Sequence, residues 1–209
     1  MGTGRNQINI AEAVDFAWSA YRAHWRLLTG ILGAMVGAWV VLKIVVVTTQ
    51  SLRILAWALA HIAFLLCFAG MEVGLLRVSL ALQDARNPTP ADAFKHLNLG
   101  PPFLAGQLLY LAVVLVGLVL LVVPGIFLAA RLSLFSFQIA ARESGVLRSF
   151  RQSVELTRGA TGQISVILVA LVVFNLIGAA LLGLGLVVTV PLSVLTMVSI
   201  HRQLSATAP

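Results

Sequence analysis

Long apolar runs separated by short polar breaks dominate the chain, and the runs are continuously apolar rather than alternating as barrel strands would be. The first run extends from Leu27 to Val47, with Lys43 near its far end, and Thr48-Thr49-Gln50-Ser51 interrupts it. The second starts at Ile54 and continues to Leu82. It is too long for one perpendicular crossing, so its end leaves the membrane or the helix tilts. Residues 83–100 are polar, and Gln83-Asp84-Ala85-Arg86-Asn87-Pro88-Thr89-Pro90 reads as a loop. An apolar block from Pro101 to Ala141 suits two helices, 101–121 and 125–141, joined by a turn between Gly117 and Gly125. A charged stretch reaches Arg158, followed by a fifth run over 162–182, the turn Gly183-Leu184-Gly185 and a sixth run over 186–204. A helix needs about 20 apolar residues to cross about 30 Å of hydrocarbon. The pattern therefore predicts an all-α polytopic membrane protein, with six transmembrane helices arranged as three hairpins.

A short amphipathic segment precedes each hairpin. Over residues 10–26, Val14, Trp18, Tyr21 and Trp25 share one helix face, and Asn9 stands three residues before Glu12 as in a capping box. Over 90–98, Thr89-Pro90-Ala91-Asp92 reads as a cap, a first-turn proline and an acid at the third position, with Phe94 and Leu97 on one face. Over 146–158, Leu147, Phe150 and Val154 form the stripe, and Arg151 with Glu155 forms an i,i+4 pair. Interfacial helix, span, span is thus used three times, although residue-level similarity between the units is weak. Each unit holds two spans and keeps its orientation, which argues against inverted repeats.

Composition agrees. Sixty percent of residues are hydrophobic and 10% are charged, against about 45–50% and about 25% in soluble domains. A soluble enzyme, a disordered chain and a coiled coil are excluded. Lys and Arg number 14 against 7 acids. Arg5, Arg22, Arg26, Arg77, Arg86, Lys95, Arg142, Arg148, Arg151, Arg158 and Arg202 fall on the side of the termini, Lys43 and Arg53 on the other, and Arg131 within the fourth span. By the positive-inside rule the termini and the two long loops are expected to be cytoplasmic. Residues 1–26 lack the apolar core of a signal peptide. The basic excess marks orientation, so nucleic acid is not an expected partner. Membrane lipids with anionic headgroups are, through Trp18, Tyr21, Arg22, Trp25, Arg26, Arg148, Arg151 and Arg158 at the cytoplasmic interface. A membrane-protein partner or a homo-oligomer is the protein–protein alternative.

Ionisable groups inside the membrane are costly and are candidates for function. Arg131 lies about 9 Å from the outer surface if the turn is at Pro124-Gly125, and about 20 Å deep if it is at Gly117. Glu72 on the second span is its natural partner, with Arg77 competing for Glu72 at a poor i,i+5 spacing. A buried Glu72–Arg131 pair, or a polar cavity lined by both, is the expectation. Lys43 is expected to snorkel outward. His61, Gln107, Tyr110 and Asn175 are expected to hydrogen-bond between helices. Gly33-Ala34-Met35-Val36-Gly37 and Gly70-Met71-Glu72-Val73-Gly74 are both G-x-x-x-G, and Gly33, Gly37, Gly70 and Gly74 are expected at close helix contacts within the chain. The lone Cys67 makes no internal disulfide. Nothing resembles a Walker loop, a zinc-ligand set or a Ser-His-Asp arrangement, so no catalytic residue, metal or cofactor is assigned.

Pro124-Gly125-Ile126-Phe127-Leu128-Ala129-Ala130-Arg131, then Glu143, then Ser149-Phe150-Arg151-Gln152-Ser153-Val154-Glu155-Leu156-Thr157-Arg158-Gly159 resembles a pattern in bacterial multi-pass membrane proteins related to the membrane domain of glycerophosphoryl diester phosphodiesterases. The resemblance covers roughly residues 100–205 well and the first half loosely. It implies a membrane domain in which Arg131 and Glu143 match the pattern. The diesterase chemistry of that family belongs to a separate soluble domain and does not carry over.

The leading functional reading is a non-enzymatic inner-membrane protein, an accessory or scaffold component that contacts lipid. A small transporter or channel using Arg131 and Glu72 is the alternative, and an intramembrane lipid-processing enzyme is the weaker third. The charge map makes a direct prediction. Green fluorescent protein fused to either terminus will fluoresce, and alkaline phosphatase inserted between the first two spans will be active; the reverse pattern would invert the topology.

Overall fold

The computed structural model describes residues 8–48, 54–142, 145–181 and 185–207. Helices dominate: α1 Ile10–Thr48, α2 Ile54–Gln83, α3 Gly100–Leu120, α4 Val122–Leu132, α5 Phe135–Arg142, α6 Val146–Leu156, α7 Thr161–Ala180 and α8 Leu186–Thr207. Six segments are long and apolar enough to cross a membrane, within Ile10–Val45, Trp57–Gln83, Pro90–Leu120, Val122–Ala141, Thr161–Ala180 and Leu186–Thr207. The chain is an all-α polytopic membrane protein. The polar break at residues 49–51 and the turn at 183 and 184 lie outside the described residues.

The expected interfacial segments take three different forms. The first is continuous with the first span in α1, interrupted only by a kink at His24 (φ −123°, ψ 24°). Its start is capped as expected, Asn9 Oδ1 accepting the Glu12 N–H at 3.2 Å. The aromatic stripe points outward: Val14, Trp18 and Trp25 are exposed, while Ala13 and Ala17 are buried. Small alanines let this part of α1 lie against α8, and the side chains suited to a lipid interface are left free to face it. The second segment is no α-helix. Residues 90–98 form two 3-10 turns, Pro90–Phe94 and Leu97–Leu99, with Phe94 and Leu97 exposed. Asp92 Oδ2 accepts from both the N–H (2.7 Å) and the Oγ1 (2.8 Å) of Thr89. That local bonding favours a tight turn over continued helix. The third segment is a true helix, α6, with Phe150 buried but Leu147 exposed. Its inward face is Ser149, Phe150, Ser153 and Thr157, a more polar stripe than the apolar one predicted. Arg151 and Glu155 are exposed and form no ion pair with each other among the described residues. The three segments therefore do not share one conformation.

Burial concentrates toward the end of the bundle that carries the termini: residues 69–82 of α2 and 195–204 of α8 hold most of each helix's buried side chains. Two apolar clusters form there, one drawing side chains from all eight helices, the other joining α1, α2, Ala93 and α8. The N-terminal strand of chain is tied down by polar contacts, Asn9 N–H to Gln203 Oε1 at 2.8 Å and Ile8 N–H to Gln163 Oε1 at 3.1 Å. The opposite end is apolar and open, with Val119 85% exposed and Leu120 74% exposed at the α3–α4 tip. Such surface is intolerable in water and ordinary in lipid. Only Leu121, in extended conformation, separates α3 from α4.

The two G-x-x-x-G pairs behave oppositely. A Cβ on Gly70 would lie 2.9 Å from Leu97, and one on Gly74 would collide with the Ala93 carbonyl. The close partner is therefore the 3-10 segment rather than another span. Gly33 and Gly37 are exposed and meet nothing among the described residues, so their expected packing within the chain is not made. Gly74→Ala should lower stability by about 1–3 kcal/mol through overpacking, whereas Gly33→Ala should fall within about 0.5 kcal/mol of wild type. Thermal unfolding in detergent compares the two, and equal effects would contradict this packing.

Candidate functional site

The close approach at Gly70 and Gly74 decides where α3 begins. Gly100 lies against the Leu66 carbonyl, and two helical turns further along α3 stands Gln107. This register delivers the Gln107 amide to Glu72, whose Oε2 accepts a hydrogen bond from Gln107 Nε2. Both side chains face an open-sided cavity of about 770 Å³ lined by residues of α1, α2, α3, α5 and α8. Its walls are apolar, formed by Leu32, Met35 and Val36 of α1, Phe68 and Leu75 of α2, Phe103 of α3, and Val187, Val190 and Val194 of α8. Thr29, Glu72, Gln107 and Ser136 are its polar side chains. The volume falls inside the range of roughly 300–1,000 Å³ typical of small-molecule sites, which pair apolar walls with a few placed polar groups.

Glu72 and Arg131 are not brought together. Glu72 is engaged by Gln107, and Arg131 is exposed at the end of α4, with no ion pair among the described residues. With the turn at Leu121, Arg131 lies about 15 Å along the fourth span, between the two depths considered above. Arg77 does not take Glu72 either: its Nη1 lies 2.9 Å from His96 Nε2. The i,i+5 spacing already placed Arg77 on a different face of α2. His61 bonds within its own helix, Nδ1 being 2.9 Å from the Trp57 carbonyl with the two rings 4.1 Å apart, and so makes no interhelical bond there. Tyr110 and Asn175 do bridge helices, to the Ala129 carbonyl at 3.4 Å and to Ser193 Oγ at 2.7 Å. Lys43 sits over the Trp39 ring at 5.4 Å.

What matters at Arg131 is its backbone. The fourth span breaks at Ser133-Leu134, between α4 and α5. Ser153 Oγ of α6 donates to the Arg131 carbonyl at 2.8 Å and accepts the Leu134 N–H at 3.1 Å. Thr157 Oγ1 lies 3.3 Å from the same carbonyl. Phe150 stacks on Phe135 at 4.7 Å. One α6 face thus replaces the helical bonds lost at the break, as buried irregular backbone in a membrane protein requires. The two segments that carry the sequence resemblance meet at this joint.

The interfacial candidates remain accessible. Trp18, Arg22, Trp25 and Arg26 are exposed, as are Arg148, Arg151 and Arg158, whereas Tyr21 is half-buried against the α1–α2–α8 cluster. Arg26 lies over the Trp25 ring at 5.5 Å. Two clusters were not anticipated. A polar pocket of about 570 Å³ holds Arg77, Asp84, Arg86, Asp92, His96 and Arg202, with Arg202 2.7 Å from Asp84. Buried Gln138 and His201 lie 3.1 Å apart, the His201 ring stacked on Phe137. Each joins residues far apart in sequence, and no spacing rule connects them.

Comparison with protein-family models, with curated proteins and with solved structures gives no match to this chain.

The joint and the exposed guanidinium generate opposite expectations. Ser153→Ala should cost about 1–3 kcal/mol by leaving buried backbone groups unsatisfied. Arg131→Leu, which removes no pairing, should change stability by no more than about 0.5 kcal/mol. Unfolding midpoints of the purified variants test both, and a large loss in the arginine variant would mean that its head has a partner.

Proposed function

We propose that this chain is a non-enzymatic, lipid-interacting component of a bacterial inner membrane, with both termini cytoplasmic, that holds an amphiphile in the cavity between α1, α2, α3, α5 and α8. The cavity itself carries the reading. It is wide enough for a small ligand, apolar over most of its wall, and polar where Gln107 meets Glu72 and at Thr29 and Ser136. A chain-like tail gains from leaving water or a less well packed bilayer for such a wall, and its head gains a hydrogen-bonding partner otherwise scarce at membrane depth. The exposed Trp18, Trp25, Arg22 and Arg26 on α1, with Arg148, Arg151 and Arg158 nearer the cytoplasm, support a second, looser contact with anionic headgroups at the surface. The relation to the diesterase-associated membrane domains is consistent with this role and belongs to the same proposal.

Transport through a paired Glu72–Arg131 site has less support, because Arg131 neither lines the cavity nor meets Glu72. The amphiphile reading is tested by filling the space. Val190→Trp places an indole among the lining residues. It should reduce the phospholipid and fatty amphiphile retained per protein after exchange into a short-chain detergent, measured by mass spectrometry, by several-fold at unchanged melting temperature. Equal retention in wild type and variant would overturn the proposal.

A further inference from the structure

We infer that the cavity selects an amphiphile whose head is a protonated amine, an alkylammonium rather than a phosphate or carboxylate; this rests on the amphiphile-binding reading above. Among the described residues that line the cavity, Glu72 is the one ionisable side chain, and no Lys, Arg or His joins it there. The nearest cation on its own helix, Arg77, is engaged with His96, and Arg131 lies outside the lining. A carboxylate in apolar surroundings is costly unless a proton or a positive partner compensates it. An ammonium head supplies that compensation, whereas a phosphate adds a second negative charge.

Hydrogen bonding points the same way. The Gln107 amide nitrogen turns toward Glu72 Oε2, which leaves the Gln107 carbonyl oxygen as an acceptor. The second Glu72 oxygen has no partner among the described residues and is not sealed by packing. Thr29 Oγ1 already donates to the Trp25 carbonyl at 2.6 Å, and Ser136 Oγ to the Ser133 carbonyl at 3.5 Å, so both hydroxyls present lone pairs. Apart from the remaining Gln107 N–H, the polar atoms here accept. An ammonium brings three donors and no acceptor, which complements such a site; a phosphate brings acceptors and complements it poorly.

Full-length protein in phosphatidylcholine nanodiscs, titrated with dodecylamine, dodecanol and dodecanoate, tests head selection at constant tail. Dodecylamine should bind about tenfold or more tightly than dodecanol, the worth of a charge-assisted hydrogen bond, and dodecanoate most weakly. Glu72→Gln should bring dodecylamine down to the level of dodecanol, and an unchanged melting temperature shows that the variant keeps its fold. Gln107→Glu, a second acid at the same place, should tighten dodecylamine further. Dodecanol or dodecanoate binding as tightly as the amine, or a preference that survives Glu72→Gln, would overturn the head assignment while the amphiphile reading stands. Absence of binding by all three would overturn both.

Discussion

A polypeptide in hydrocarbon has no water to bond its amides, so every break in a membrane helix must be answered from elsewhere in the chain. Here the break falls at Ser133-Leu134, and Ser153 answers it with one hydroxyl that donates to Arg131 and accepts from Leu134. The consequences spread outward. Serving the break draws α6 in from the surface, which puts Phe150 on Phe135 and buries Ser149, Ser153 and Thr157. The chain after the break, α5, packs its apolar side against α2 and brings Ser136 to the cavity and Gln138 to His201. An unbroken fourth span would offer neither.

The second organising contact is steric. Because Gly70 and Gly74 lack side chains, residues 90–99 press against α2, with Ala93 and Leu97 occupying the space of the missing Cβ atoms. That sets the height at which α3 starts and hence the meeting of Gln107 with Glu72. Close packing here leaves space elsewhere. Gly33 and Val36 of α1 line the cavity, and a Cβ on Gly33 would meet nothing. The tight and loose faces of α2 are two sides of one arrangement.

Much of this was legible in the chain, and the reason is physical. Spans announce themselves because each must be apolar along about 20 residues. The Asn9 cap and the Thr89–Asp92 turn are readable because both partners lie within three residues. Gln107, Tyr110 and Asn175 could be named as bridging residues, since a polar side chain in a span seeks a partner on a neighbour. Their partners could not be named. Glu72 looked best matched to Arg131 by charge, yet an amide reached it first, because helix register rather than charge determines which heads come within hydrogen-bond distance.

The amino-acid sequence by itself determined the class of fold, the spans and the positions of the costly polar residues, since these follow from composition and from interactions a few residues long. Tertiary structure alone decided which glycines are packed, whether the segment at 90–98 is helix or 3-10 turn, how the fourth span is mended and which group faces Glu72. Those outcomes depend on distances between elements separated by tens of residues, for instance 35 from Glu72 to Gln107. Apolar side chains in lipid do not specify such distances, because they pack against neighbouring helices and against lipid tails with little difference in free energy.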